Sequence, residues 1–121
     1  MLDFWFSTCG WCELSLKDLQ IFYDKHKNSK DIVVLTINTD PGDIKEFKID
    51  AVKRFISKNK ISIPVLLDFG NEVTAEYKLG AYPQLFVIGK DGMVHYRESG
   101  YGGSSTSTDL EKIIAKINGG K

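Results

Sequence analysis

The apolar positions of this chain change their period several times, and each change marks an element. Residues 2–6 (LDFWF) are almost continuously apolar and rich in aromatics, which predicts a short buried strand. From there to about Asn28 the pattern turns helical. Leu16, Leu19, Phe22, Tyr23 and His26 recur at the spacing of one helix face, with charged residues between them. A turn at Asn28-Ser29-Lys30-Asp31 leads into Ile32–Asn38, a nearly unbroken β-branched run that predicts a central parallel strand covered on both faces. Asp40-Pro41-Gly42-Asp43 breaks the chain. Ile44, Phe47, Val52, Phe55 and Ile56 then predict helix in two pieces, with Asp50 capping the longer one.

Ile63–Leu67 predicts another short strand, whose Pro64 suits an edge position or a strand start. Asn71 to Leu79 predicts a short helix ended by Gly80. Residues 84–88 (QLFVI) and 93–97 (MVHYR) read as two strands joined by the hairpin signal Gly89-Lys90-Asp91-Gly92. A flexible Gly/Ser/Thr stretch, residues 102–108, precedes a last helix with Leu110, Ile113, Ile114 and Ile117 on one face. The order β-α-β-α-β-α-β-β-α argues for an α/β fold with a parallel sheet, to which the late hairpin adds one antiparallel strand. There is no internal repeat and no linker, and 121 residues fit a single domain, 1–121.

Composition narrows the function classes. Hydrophobic residues make up 42% of the chain and charged residues 26%, enough apolar material for one core. Sixteen basic residues cancel sixteen acidic ones, so bulk charge gives no reason to expect nucleic acid or an anionic membrane as partner. No stretch reaches the apolar length of a membrane span. Met1–Phe6 lacks a basic segment, a long apolar run and a small-residue cleavage site, and is not expected to be a signal peptide.

The chemistry sits in the two cysteines, Cys9 and Cys12 of Cys-Gly-Trp-Cys. A bond between them closes a tiny loop and constrains little of the unfolded chain, so the pair is not there mainly for stability. The motif falls where the first strand gives way to the first helix. Cys9 is thus expected beside the unpaired amides and positive dipole end of that helix, which favour a thiolate. Cys12 follows one turn later, within reach of a disulfide formed by Cys9. A zinc site is the usual competitor for such a pair. It needs two more ligands, and the two imidazoles, His26 and His95, fit no zinc spacing. A buried structural pair is a weaker competitor, because Gly-Trp at a strand–helix junction reads as exposed.

The residues around the pair carry a family resemblance. Asp3-Phe4-Trp5, followed after three residues by Cys9-Gly10-Trp11-Cys12, resembles the thioredoxin pattern of a buried acid and a tryptophan leading into the redox motif. Gly80–Ile88 with Lys90-Asp91-Gly92 resembles the segment in which thioredoxins carry a cis-proline facing the cysteines. The helix and strand ending in Ile63–Asp68 resemble the insert of the TlpA and ResA subgroup. The resemblance implies a thioredoxin-like α/β fold: a central mixed five-stranded sheet flanked by about four helices. It implies a TlpA-like helix–strand insert whose strand occupies the sheet edge; the chain departs from the family pattern in having no strand or hairpin before the strand that starts at residue 2.

It also implies roles. Cys9 matches the nucleophile, Cys12 the resolving thiol, and Asp3 the buried acid that moves the proton of Cys12. Pro83 matches the cis-proline and Tyr82 its substrate-pairing neighbour. Trp5 and Trp11, with Tyr82, offer an apolar docking face. A carboxylate in an apolar strand is itself expected to have a raised pKa, in agreement with that role.

Three positions depart from the family. Lys17 stands where a helix-kinking proline is frequent, Ser15 where TlpA-type proteins commonly carry glutamate, and Gly-Trp where a proline-containing dipeptide is usual. The expected activity is thiol–disulfide exchange with protein disulfides, as a reductase, with a dithiol redox partner and neither metal nor organic cofactor. A disulfide isomerase or oxidase with the same site is the nearest alternative. A non-enzymatic binding module is the second. A peroxidase is the third, and it lacks the Thr-x-x-Cys segment of the peroxiredoxins. The resemblance further implies an extracytoplasmic setting, and the chain is expected to be a monomer.

Overall fold

The computed structural model describes residues 1–42, 44–100 and 107–119, the last two through their backbone. Among the described residues, five strands form: β1 (Leu2–Trp5), β2 (Leu35–Asn38), β3 (Val65–Leu67), β4 (Gln84–Ile88) and β5 (Val94–Ser99). The helices are α1 (Gly10–His26), α2 (Lys45–Lys58), α3 (Glu72–Tyr77) and α4 (Ser107–Gly119), with a 3-10 turn at Phe69–Asn71. The strands form one mixed sheet in the order β3-β2-β1-β4-β5. β1, β2 and β3 run parallel, while β4 is antiparallel to both β1 and β5.

The central strand is therefore β1. The β-branched run at 32–38 had been expected in that place, and it supplies β2, one position nearer the edge. Only its second half is strand, because β1 offers register partners for Leu35–Asn38 alone. Pro64 lies just ahead of edge strand β3, where a missing amide costs no ladder bond, and its carbonyl accepts from the amide of Thr36 at 2.9 Å.

Alternation along β1 divides the core. Phe4 points to one face with Ile37 and Phe86, and Tyr77 of α3 closes over it. Asp3 and Trp5 point to the other. There Trp5 joins Leu16, Leu19 and Phe22 of α1, Val52 and Phe55 of α2, and Leu110 of α4. Ile113 and Ile114 of α4 are half-buried against the same cluster. His26 Nε2 meets Glu111 Oε1 at 2.6 Å and ties the end of α1 to α4.

Two helix expectations need correction. α2 is one continuous helix and Asp50 lies inside it, not at a cap. Residues 45–58 contain no glycine or proline to interrupt it, and an interior aspartate costs only a fraction of a kcal/mol (about 0.7). α3 stops at Lys78, whose φ of 51° leaves the helical region two residues before Gly80. The hairpin turn forms as expected, with Gly92 at φ 82°. Of the Gly/Ser/Thr stretch at 102–108, residues up to 106 lie outside the described residues, as does Asp43.

Candidate active site

β1 ends at Trp5, at the middle of the sheet, and Phe6-Ser7-Thr8 turns the chain into α1. Cys9 is the N-cap residue of that helix, in extended conformation (φ −85°, ψ 110°), and its amide donates to the carbonyl of Phe6 at 3.2 Å. The backbone amide of Cys12 donates to Cys9 Sγ at 3.2 Å. The sulfur thus fills the place that a serine or aspartate oxygen takes at an ordinary N-cap. An N–H pointing at sulfur, together with the dipole end of a 17-residue helix, favours negative charge on Cys9.

Cys9 and Cys12 are joined as a disulfide, with their Cα atoms 5.2 Å apart. Their environments differ. Cys9 keeps 8% of its surface exposed, whereas Cys12 is wholly buried. Of the pair, only Cys9 retains surface open to solvent.

The turn before Cys9 is held from the end of β2, by a residue that in sequence reads only as part of a chain break. Asp40, just beyond the end of β2, accepts the backbone amide of Ser7 at 2.5 Å through Oδ1 and the Ser7 hydroxyl at 2.7 Å through Oδ2. Thr39 secures the same junction, its amide donating to the carbonyl of Trp5 at 2.8 Å. In the sequence the one distinguishing mark of Asp40 is its place at the C-terminal end of a β-branched run, and its burial appears only in the structure.

Asp3 lies behind the helix, 1% exposed. Among the described residues, its Oδ2 has no hydrogen-bond partner. Burial holds its carboxyl well above the usual aspartate range, since nothing close by compensates the charge. It shares a cavity of about 10 Å³ with Ser15, which sits one helical turn after Cys12. That volume corresponds to about one water probe.

On the far side of β1, the Tyr82–Pro83 peptide is cis. Pro83 is buried at the start of β4, and its carbonyl accepts from Gly100 at 2.7 Å. The Tyr82 ring meets Phe6 edge to face at 5.1 Å, which brings the Pro83 loop against the turn that precedes Cys9. Trp11 is 60% exposed on the first turn of α1. Trp5 does not belong with it as a docking residue. It is fully buried and lies against Phe55 at 4.6 Å between ring centres, because an inward-facing position on the central strand of the sheet places it in the core. The two histidines considered as zinc ligands stand apart, His26 paired with Glu111 and His95 with Asp91.

Comparison with known proteins agrees with this geometry. A family model described as Redoxin matches residues 1–114. The chain is 31% identical over 116 residues to the thiol-disulfide oxidoreductase ResA of Bacillus thuringiensis (strain Al Hakam), a match covering 96% of this chain and 61% of that protein. It is 30% identical over 100 residues to sporulation thiol-disulfide oxidoreductase A of Bacillus subtilis (strain 168), covering 83% and 58%. The chain thus spans 58% to 61% of the length of these curated relatives.

Among solved structures, StoA from Bacillus subtilis superposes with a TM-score of 0.77 at 29% identity, over 93% of this chain and 79% of that one. A thiol:disulfide interchange protein DsbE from Chlorobium tepidum, described as putative in its own name, gives 0.78 at 26% identity, over 93% and 74%. With its mixed sheet, its helix-borne cysteine pair and these relatives, the chain belongs to the Redoxin family, as a TlpA/ResA-like protein of thioredoxin fold.

Proposed function

We infer that this chain is a thiol–disulfide oxidoreductase that reduces disulfides in protein substrates. The observation that carries the reading is the Cys12 amide directed at Cys9 Sγ, at the helix N-terminus, with the second sulfur buried directly behind the first. In the reduced protein, the Cys9 thiolate attacks one sulfur of a substrate disulfide. That S–S bond breaks, and the departing sulfur leaves as a thiolate that takes up a proton. The Cys12 thiol then loses its proton, to Asp3 in this reading. Its sulfur attacks Cys9 Sγ, which forms the Cys9–Cys12 bond, breaks the mixed disulfide and releases the second substrate sulfur as a thiolate that takes up a proton. Two electrons have passed to the substrate, and a dithiol partner must return them.

Asp3 suits the proton transfer because burial raises its carboxyl well above the usual aspartate range, which makes its carboxylate a stronger base than an exposed one. Tyr82 and Pro83 suit an extended substrate segment, since their loop packs against the turn bearing Cys9. Trp11 adds an exposed indole to the same surface. No metal or organic cofactor takes part in this scheme. Kinship with ResA and StoA supports an extracytoplasmic workplace, and we take the chain to act as a single-domain monomer. Among the described residues, no helix is long and apolar enough to cross a membrane.

Direction is set by the reduction potential of the pair, measured by equilibration in glutathione buffers with thiol trapping. A couple near about −270 mV supports a reductase, and one near about −120 to −180 mV an oxidant or isomerase. Absence of an intramolecular disulfide at every poise would replace the redox reading with a binding module.

A further inference from the structure

A cavity of about 360 Å³ lies against the turn that leads into Cys9, lined by Ser7 and Thr8 of that turn. Thr8, the residue before Cys9, forms one wall; Pro41, Ile44, Phe47 and Ala51 form the others. Its volume falls near the lower end of the range for small-ligand pockets, about 300–1,000 Å³. That is too little for a folded element and enough for one or two side chains.

The lining is apolar in effect. Among the described residues, two charged side chains contribute to it, and both are already engaged. The Asp40 carboxylate is taken up by the Ser7 amide and hydroxyl. The Lys48 ammonium lies over the Phe69 ring at 5.6 Å. At the rim, Phe47 is 68% exposed and Ile44 51%. Neighbouring large apolar groups left in water around a cavity that Thr8 also lines mark a contact surface.

We propose that this cavity is a specificity subsite that receives an apolar, preferably aromatic, side chain of the polypeptide carrying the target disulfide. The inference rests on the dithiol reading above and names what that site selects. The wall begins at Thr8, whose Cα is one peptide unit, about 3.8 Å, from that of Cys9. An extended substrate advances about 3.3–3.6 Å per residue. The side chain received therefore lies one to three residues from the cysteine that Cys9 attacks. The subsite forms no covalent bond; it holds the substrate while sulfur exchange proceeds.

The test is reduction kinetics of the intact reduced chain with disulfide-linked peptide dimers. These differ only in carrying Phe, Gly or Asp two residues from the cysteine, and capped cystine serves as a substrate with no such side chain. The Phe peptide is expected to exceed the Gly peptide in kcat/KM by roughly tenfold or more. That ratio is expected to fall toward one in Ala51→Phe, which fills the cavity, and in Phe47→Ala, which strips its rim. Phe47 is mostly exposed, so the second variant keeps the core if the first does not fold. Equal kcat/KM for the three peptides overturns the subsite, and so does a Phe preference that neither variant reduces. Capped cystine separates the two levels: its reduction without peptide preference overturns the subsite alone, whereas failure to reduce any of the four overturns the dithiol reading and the subsite with it.

Discussion

Asp40 holds Ser7 by two hydrogen bonds, one to the backbone amide at 2.5 Å and one to the hydroxyl at 2.7 Å, two residues before the cysteine that caps α1. This side chain from the end of β2 fixes the turn that carries the nucleophile. Removing it leaves part-buried donors without an acceptor, a cost of about 1–3 kcal/mol. Asp40→Ala is expected to lose about that much in urea unfolding and to lower the rate at which Cys9 attacks a model disulfide. Asp40→Asn keeps an acceptor for one of the two donors, and is expected to recover part of both losses.

The two sulfurs differ in access, and their variants are expected to differ accordingly. Cys9→Ser removes the attacking group and abolishes turnover. Cys12→Ser leaves the attack intact and removes the release step, so a mixed disulfide between Cys9 and substrate accumulates. Mass spectrometry of acid-quenched mixtures checks both. Substrate adducts on Cys12 in a Cys9→Ser protein would contradict the burial of the second sulfur.

Burial raises the Asp3 carboxyl well above the unfolded value of about 3.9. Below that value both states hold the proton, and no stability is lost through ionisation. As pH rises toward the folded pKa, the native state retains a proton that the unfolded chain has released, and stability falls. Above the folded pKa the loss is complete. Asp3→Asn cannot ionise, so its Tm is expected to gain on the wild type as pH rises from about 5 to about 8. A difference in Tm that stays constant across that range would show that Asp3 titrates normally.

Trp5 and Trp11 separate core from surface. Trp5→Ala opens a cavity beside Phe55 and is expected to cost about 3–5 kcal/mol in chemical unfolding. Trp11→Ala, at an exposed position, is expected to cost about 1 kcal/mol or less, with its effect falling on KM for peptide disulfides.

Much of this molecule is legible one segment at a time. Helical spacing of Leu16, Leu19 and Phe22 specifies the buried face of α1, and alternation along Leu2–Trp5 specifies which side chains face α1. Both depend on periods that the backbone imposes locally. The placement of Cys9 and Cys12 at a strand–helix junction is equally local, and with it the chemistry that a helix N-terminus favours. Pairing is not local. The strongest β-branched run, Ile32–Asn38, ends in second place because the short segment at Leu2–Trp5 pairs on both its edges, with β2 and β4. Which strand is central follows from hydrogen bonds between distant segments, and no single run contains that information. The same reason hid Asp40 and misassigned Trp5. An aspartate before Pro-Gly reads as a turn residue until β2 lies beside β1 and brings its carboxylate to Ser7. A tryptophan four residues before the cysteines reads as a docking group until α2 lays Phe55 against it. The sequence by itself determined the elements and the reactive pair, because these arise from neighbours along the chain. Tertiary structure alone decided what surrounds the pair, because contacts across more than thirty residues are chosen by packing.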